Sequence, residues 1–181
     1  HYGVAGELLS ITDIRGNTQA LAYDAAGRLE GVDTSTGDYI TFGHDGSGRV
    51  ASMTDQAGRV WGYRYDAAGN LEYVDNPDGT LRRYHYNESQ YAGASLPHAL
   101  TGITDERGNR YATYEDDAGG RAIATWHAGN AGRVDIQYSD LDGARSITNS
   151  RGFTSEYSTT IQLGKSLATG MTGPGCATCG T

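Results

Sequence analysis

No stretch of the sequence approaches eighteen apolar residues in a row, so nothing in it is suited to crossing a bilayer as a helix. No charged start is followed by an apolar run, so no signal peptide is visible. Positive charge is also short. Fourteen Lys and Arg stand against 22 Asp and Glu, for a net charge of −8 and an isoelectric point near 4.9. That balance excludes a nucleic-acid partner, whose phosphates need basic patches to displace counterions. Cysteine occurs twice, as Cys176 and Cys179. The pair has no second C-x-x-C and no histidine at finger spacing, and Gly180 stands where haem attachment needs His. It lacks the helix-start context of a redox motif. A local disulfide between Cys176 and Cys179 is the first reading, and zinc shared with another segment the second. No G-x-S-x-G elbow is present, and His1, His44, His85, His98 and His127 are scattered. No catalytic residue is therefore assigned, and no enzyme is expected.

Glycine and tyrosine are what the chain has in quantity, with 27 Gly and 13 Tyr against two Phe. Glycine at that share, without a collagen period, means many turns. The turns are periodic. Tyr2, Tyr23, His44, Tyr65 and Tyr86 stand 21 residues apart, and Gly16, Gly37, Gly58 and Gly79 keep the same interval half a unit later. Tyr65-Asp66-Ala67-Ala68-Gly69-Asn70-Leu71 nearly copies Tyr23-Asp24-Ala25-Ala26-Gly27-Arg28-Leu29. Such self-similarity marks a repeat protein. Each unit holds two turns of the form D-x-x-G. One set opens at Asp24, Asp45, Asp66, Asp117 and Asp140, and the other at Asp13, Asp55, Asn76, Asp105 and Asn149, with Thr34 to Gly37 as a hydroxyl version. A type I turn favours Asp or Asn at its first place and Gly at its last.

Between turns lie segments of about six or seven residues, the usual strand length. Ile40, Phe42 and His44 alternate, as do Trp61, Tyr63 and Tyr65, and Arg82, Tyr84 and Tyr86, which is the period of a strand. Leu8 and Ile11, Leu29 and Val32, Val50 and Met53, and Leu71 and Val74 are instead spaced by three. A regular strand would put them on opposite faces, so a bulge or two-sided burial is expected there. Chained hairpins make a meander in which tyrosines of successive units can meet across the sheet. One unit breaks the count: Gly79 to Gly108 spans 29 residues, and the extra eight fall within an insertion at 88–99. Such insertions become surface loops and sometimes binding elements. After Arg110 the pattern loosens, with Asp116 in the tyrosine place and Ala122 in the Leu or Val place. From Thr159 onward Gly173-Pro174-Gly175 interrupts any strand, which leaves 159–181 as a terminating or connecting segment after a repeat array over 1–158.

The Tyr-Asp phrase, together with Leu100 to Asn109, resembles the Rhs or YD-repeat family over residues 2 to about 157. The expected fold is all-β, an array of about seven 21-residue β-hairpin YD repeats forming a curved antiparallel sheet. The resemblance implies that such sheets wind into a spiral β-shell around a cargo polypeptide. It implies a non-catalytic scaffold segment of a large secreted or cell-surface bacterial protein of the polymorphic-toxin type. The chain starts mid-repeat at His1, so an excerpt of something longer is expected. Longer relatives carry a core segment rich in Asp-Pro and Pro-Tyr that releases a toxin by self-cleavage. Neither phrase occurs here, so that activity is not carried over.

Two further readings concern ligands. The turn carboxylates invite calcium, but each turn brings one Asp or Asn, which an Asx turn explains, so no cofactor is assigned. Trp61, Tyr63, Tyr84 and Tyr91 are candidate binding residues, because a flat apolar ring with a polar handle stacks on sugars. With them goes an alternative function, a surface adhesin-like module for carbohydrate or a protein partner, able to assemble into a filament. The open strand edges point to pairing with the remainder of the same polypeptide or with further copies of the chain.

Overall fold

The computed structural model of the chain describes residues 1–139 and 145–174. Among these the structure is all-β, with no α-helix and one 3-10 turn at Ala128–Asn130. Two compact units make up the chain, residues 1–82 and 83–181. Unit 1 contains β1 (Ser10–Thr12), β2 (Thr18–Tyr23), β3 (Leu29–Thr34), β4 (Tyr39–His44), β5 (Val50–Asp55), β6 (Val60–Tyr65) and β7 (Leu71–Asp75). The unit boundary falls inside β8 (Leu81–Tyr86). Unit 2 continues with β9 (Leu100–Thr104), β10 (Arg110–Asp116), β11 (Ala122–His127), β12 (Ala131–Tyr138), β13 (Arg145–Thr148), β14 (Thr154–Gln162) and β15 (Lys165–Thr172). Within each unit the strand order is the sequence order and all strand pairs are antiparallel.

The turns explain this topology. In ten described turns the N–H of the fourth residue, Gly, donates to the carbonyl of the first at 2.9–3.1 Å. In the same ten turns the first residue's N–H donates to the carbonyl of the fifth at 2.8–3.1 Å. These glycines have φ between 75° and 94°. This is the type I turn closed by a glycine bulge that joins two adjacent antiparallel strands. The Asp140–Gly143 turn lies outside the described residues.

Of the two expectations for the three-residue spacings, the bulge is found at Leu29 and Val32, Val50 and Met53, and Leu71 and Val74. Ala22 pairs with Gly31 and Tyr23 with Leu29, which leaves Glu30 as the extra residue. Ala51, Glu72, Thr101 and Ile123 are extra in the same place in later repeats. Each bulge restores Leu29 and Val32, or Val50 and Met53, to one face. In unit 1 that face carries Leu21, Val32 and Ile40 in one cross-strand row, and Phe42, Met53 and Trp61 in another. Its reverse is small and polar, with Ala22, Gly31 and Thr41 in one row and Gly43, Ser52 and Gly62 in another.

Little of this is sealed from water. The accessible surface is 11898 Å², where a compact protein of 19.2 kDa would expose about 8,400 Å². The buried apolar side chains, Ala92, Ala112 and Ala124, and the buried Thr101 and Thr113 all belong to unit 2. β14 and β15 form the longest hairpin, turned by Leu163 and Gly164 at φ 50° and 76°. β15 stops at Thr172, next to Gly173.

Candidate functional site

Six turn carboxylates, those of Asp13, Asp24, Asp45, Asp55, Asp66 and Asp117, accept hydrogen bonds on both oxygens. One oxygen of Asp45 accepts the N–H groups of Ser47 and Arg49 at 2.8 and 3.0 Å, and the other accepts Arg49 Nε at 2.9 Å. Asp24 with Arg28, Asp55 with Arg59 and Asp117 with Arg121 repeat the arrangement. Asn17 and Asn70 donate their amides to Asp13 and Asp66 in the same way, at 2.8 Å. The backbone and side-chain bonds of the fifth residue hold Asp24, Asp45 and Asp117 below the ordinary carboxylate pKa. For Asp13 and Asp55 the largest cause of the same shift is the side-chain bond from Asn17 or Arg59. A carboxylate used on both oxygens in this way is a turn clamp.

The clamp continues into the next repeat. Arg49 lies 4.3 Å from the ring centre of Tyr65, whose hydroxyl donates to the carbonyl of Val50 at 2.8 Å. Arg121 lies 4.7 Å from the ring centre of Tyr138, whose hydroxyl donates to the carbonyl of Ala122 at 2.8 Å. Tyr23 reaches Leu8 likewise at 2.9 Å. A repeat tyrosine thus docks on the residue after the previous clamp, which is why Tyr, Asp, Gly and Arg share one interval. This differs from the expected tyrosine–tyrosine contacts. In unit 1 the described ring contacts are arginine over aromatic, including Arg64 over Tyr73 at 4.3 Å. A ring face attracts a guanidinium, with about 0.5–1 kcal/mol at exposed positions.

The insertion is grafted onto a standard hairpin and then folds back over the sheet. Asn87 N–H donates to Ala99 carbonyl at 3.0 Å, in the place of the first-to-fifth bond of other turns. From there Glu88 reaches Arg110, with bonds of 3.1 and 2.7 Å, and accepts the Thr101 hydroxyl at 2.7 Å. Burial acts to raise the Glu88 pKa, but the bonds from Arg110 and Thr101 outweigh it and leave it lowered. Arg110 lies flat because Gly102 has no side chain: a Cβ there would sit 1.9 Å from its guanidinium. Tyr91 packs its ring edge-on to Trp126 at 5.7 Å and lies under Arg110 at 5.4 Å. On the far side Arg133 covers Trp126 at 4.5 Å and pairs with Asp135 at 2.7 Å.

The candidate binding residues fall in both units, Trp61 and Tyr63 in unit 1 and Tyr84 and Tyr91 in unit 2. Trp61 and Tyr63 are half-buried neighbours on the apolar face of unit 1, and burial raises the Tyr63 pKa. Trp61 borders an open hollow with Arg59, Asn76, Pro77 and Asp78. In unit 2, Tyr84 shares a face with Ile103 and Ala112, while Tyr91 meets Trp126, which stands opposite Thr113 on the other face. Cys176 and Cys179 lie outside the described residues. Sequence reasoning missed the fifth residue of the turns, although D-x-x-G-R and D-x-x-G-N are written out at 24–28, 45–49, 55–59, 117–121, 13–17, 66–70 and 105–109. It also missed Glu88 with Arg110, for which no local spacing exists.

Comparison with known proteins agrees with this geometry. The model of the RHS Repeat family matches residues 4–39 and 44–81. No curated protein matches the chain. Among solved structures, that of "TcdB2-TccC3 without hypervariable C-terminal region" is similar with a TM-score of 0.55 and 16% identity, over 91% of this chain and 10% of that one. That of "TcdB2-TccC3-Cdc42" has a TM-score of 0.51 at 16% identity, with the same coverage of 91% and 10%. The likeness is one of fold, and the chain spans about a tenth of the length of these neighbours.

Proposed function

The chain belongs to the RHS-repeat family through residues 4–39 and 44–81, and from that premise we propose that it is a non-catalytic scaffold segment of a larger secreted or cell-surface bacterial protein. In this reading its sheet encloses or presents another polypeptide. The observation that carries it is the use made of the polar residues. Turn carboxylates, arginines and repeat tyrosines engage one another, at the same places around Asp45, Arg49 and Tyr65 as around Asp117, Arg121 and Tyr138, to join one hairpin to the next. Stability then accumulates as a sum of neighbour contacts, which suits a wall extended by adding units. The surface excess supports the same reading, because a sheet with water on both faces gains by closing around contents or against more sheet.

Two of the similar structures contain TccC3, in one of them without its hypervariable C-terminal region. By analogy of fold, the parent of this chain would pair its repeat wall with a variable segment of the same polypeptide. Negative-stain electron microscopy of the full-length native protein tests this: closed hollow particles are expected, and fibres or open ribbons would refute enclosure.

A second reading, an adhesin-like module, rests on the hollow beside Trp61, where an indole stands next to the polar Asn76, Asp78 and Arg59. A glycan array on the chain, followed by Trp61→Ala, decides it. Binding that survives Trp61→Ala, or no binding at all, removes this site.

A further inference from the structure

We propose that the inserted segment occupies, as an internal ligand, a slot for an extended peptide whose sequence is aromatic, then small, then glycine, and that an incoming segment of another polypeptide takes its place. The slot is defined by what Tyr91, Ala92 and Gly93 do in it. Asp116, at the end of β10, donates its N–H to Tyr91 carbonyl at 2.8 Å and accepts Gly93 N–H at 2.9 Å. Ala92 and Asp116 thereby form a parallel bridge, in a unit whose strands are all antiparallel. Main-chain pairing of this kind binds any extended chain, and pockets for the side chains give selectivity.

Each of the three positions is selective for a physical reason. The first holds a ring, between the steeply inclined indole of Trp126 and the guanidinium of Arg110. The second takes a methyl group, for Ala92 is only 6% exposed. The third takes no side chain at all. A Cβ on Gly93 would lie 2.6 Å from Ala118 N and 2.7 Å from the Asp117 carbonyl carbon, which are backbone atoms that cannot swing aside.

The segment can leave without unfolding the sheet. In unit 1 the corresponding face, with Gly31, Gly43 and Gly62, has no inserted segment over it, and strands β2 to β7 keep their register. Apart from Ala92 and the half-buried Tyr91 and Leu96, the latter beside Gly120, the insertion buries little, since Ser89, Gln90, Ala94, Ser95, Pro97 and His98 are exposed. Elements with few buried apolar contacts open at low free energy. Its latch is Glu88 on Arg110 and Thr101, and Arg110 is also held by Thr101 carbonyl at 2.7 Å, so the seat survives loss of the latch. Proline-free and flexible around Gly93, the tripeptide is a chain segment that another can copy.

The test uses the full chain carrying Trp61→Phe, so that Trp126 reports alone. The probe is the peptide acetyl-Gln-Tyr-Ala-Gly-Ala-amide, compared with its Gly-to-Ala analogue. In E88Q, hydrogen exchange at residues 89–95 is expected to rise at least tenfold, and the peptide to bind at least tenfold more tightly than to the chain with Glu88. Binding removes the conformational cost of a closed slot by the fraction that is open. The bound peptide should protect the Asp116 amide while residues 89–95 remain unprotected, and the analogue should bind at least tenfold more weakly. Unchanged exchange in E88Q would overturn the latch. Equal binding of both peptides, or an open segment with no binding, would overturn the slot. A peptide-free E88Q dimer by light scattering would overturn the separate partner in favour of segments exchanged between copies. Should E88Q unfold β10 and β11, the chain with Glu88 still decides. Excess peptide must then raise exchange at 89–95 while Asp116 stays protected, and failure to do so refutes displacement.

Discussion

Units 1 and 2 are built from the same turns and bulges, yet the buried apolar side chains among the described residues all lie in unit 2. Unit 1 is regular: its hairpins follow one another at the repeat interval, with no inserted segment of its own laid over the sheet. Unit 2 has lost some of that regularity, with Asp116 and Ala122 in places where Tyr65 and Leu71 stand earlier. It has gained a segment that folds back on the sheet and seals Ala92, Thr101 and Thr113. The difference teaches that a hairpin repeat makes a sheet but not a core, because a sheet buries apolar surface only against a second layer. Polar clamps hold unit 1, and unit 2 adds burial to them.

The largest contrast is expected in acid. Unit 1 contains six carboxylates with lowered pKa, Asp13, Asp24, Asp45, Asp55, Asp66 and Asp78, while Asp117 and Glu88 are those described in unit 2. A carboxylate held lower in the folded state than unfolded contributes stability that is complete above the unfolded value of about 4 and disappears as pH falls through the folded value. Urea unfolding at pH 7 and below pH 4, followed by Trp61 for unit 1 and Trp126 for unit 2 in single-tryptophan variants, should show unit 1 losing more. Equal losses would mean that the clamps do not distinguish the units.

Arg110→Met comes next. It leaves the half-buried Glu88 without its cation and should cost unit 2 about 2–3 kcal/mol, read from Trp126, with the Trp61 transition unmoved. Gly93→Ala forces the inserted segment off the backbone of Asp117 and Ala118, and a cost of about 1–3 kcal/mol is expected, again confined to unit 2. The smallest effect sharpens the other side of the comparison. Tyr65→Phe removes one hydroxyl bond to Val50 and should lower the stability of unit 1 by about 1 kcal/mol in the same assay. A loss several times larger would show that one repeat tyrosine governs its neighbours, contrary to a sum of equal contacts.

Much of this fold was legible because its causes are local. Asp24 to Gly27 and its copies specify a turn through their own backbone bonds, and the spacing of Leu29 and Val32 marks a bulge or two-sided burial, between which the pairing with β2 chooses the bulge at Glu30. The arginine clamp was equally local, and was overlooked only because the motif was read to four residues and not five. The aromatic candidates were harder. A repeat tyrosine such as Tyr65 has the same spacing whether it meets another ring, an arginine or a sugar, and only the geometry distinguished Arg49 as its neighbour.

By itself the sequence did not determine the turns at Ala128–Asn130 and at Leu163 and Gly164, but it determined the period, the repeat hairpins, the position of each described D-x-x-G turn and the alternation of faces. Every one of these depends on interactions within a few residues or on the two-residue period of a strand. Tertiary structure alone decided that Glu88 meets Arg110, that Tyr91 meets Trp126, and that Gly102 and Gly93 leave room for a guanidinium and a backbone. Those contacts join residues separated along the chain by a fold-back. Their partners are chosen by where the sheet brings strands β10 and β11, which no short spacing in the sequence records.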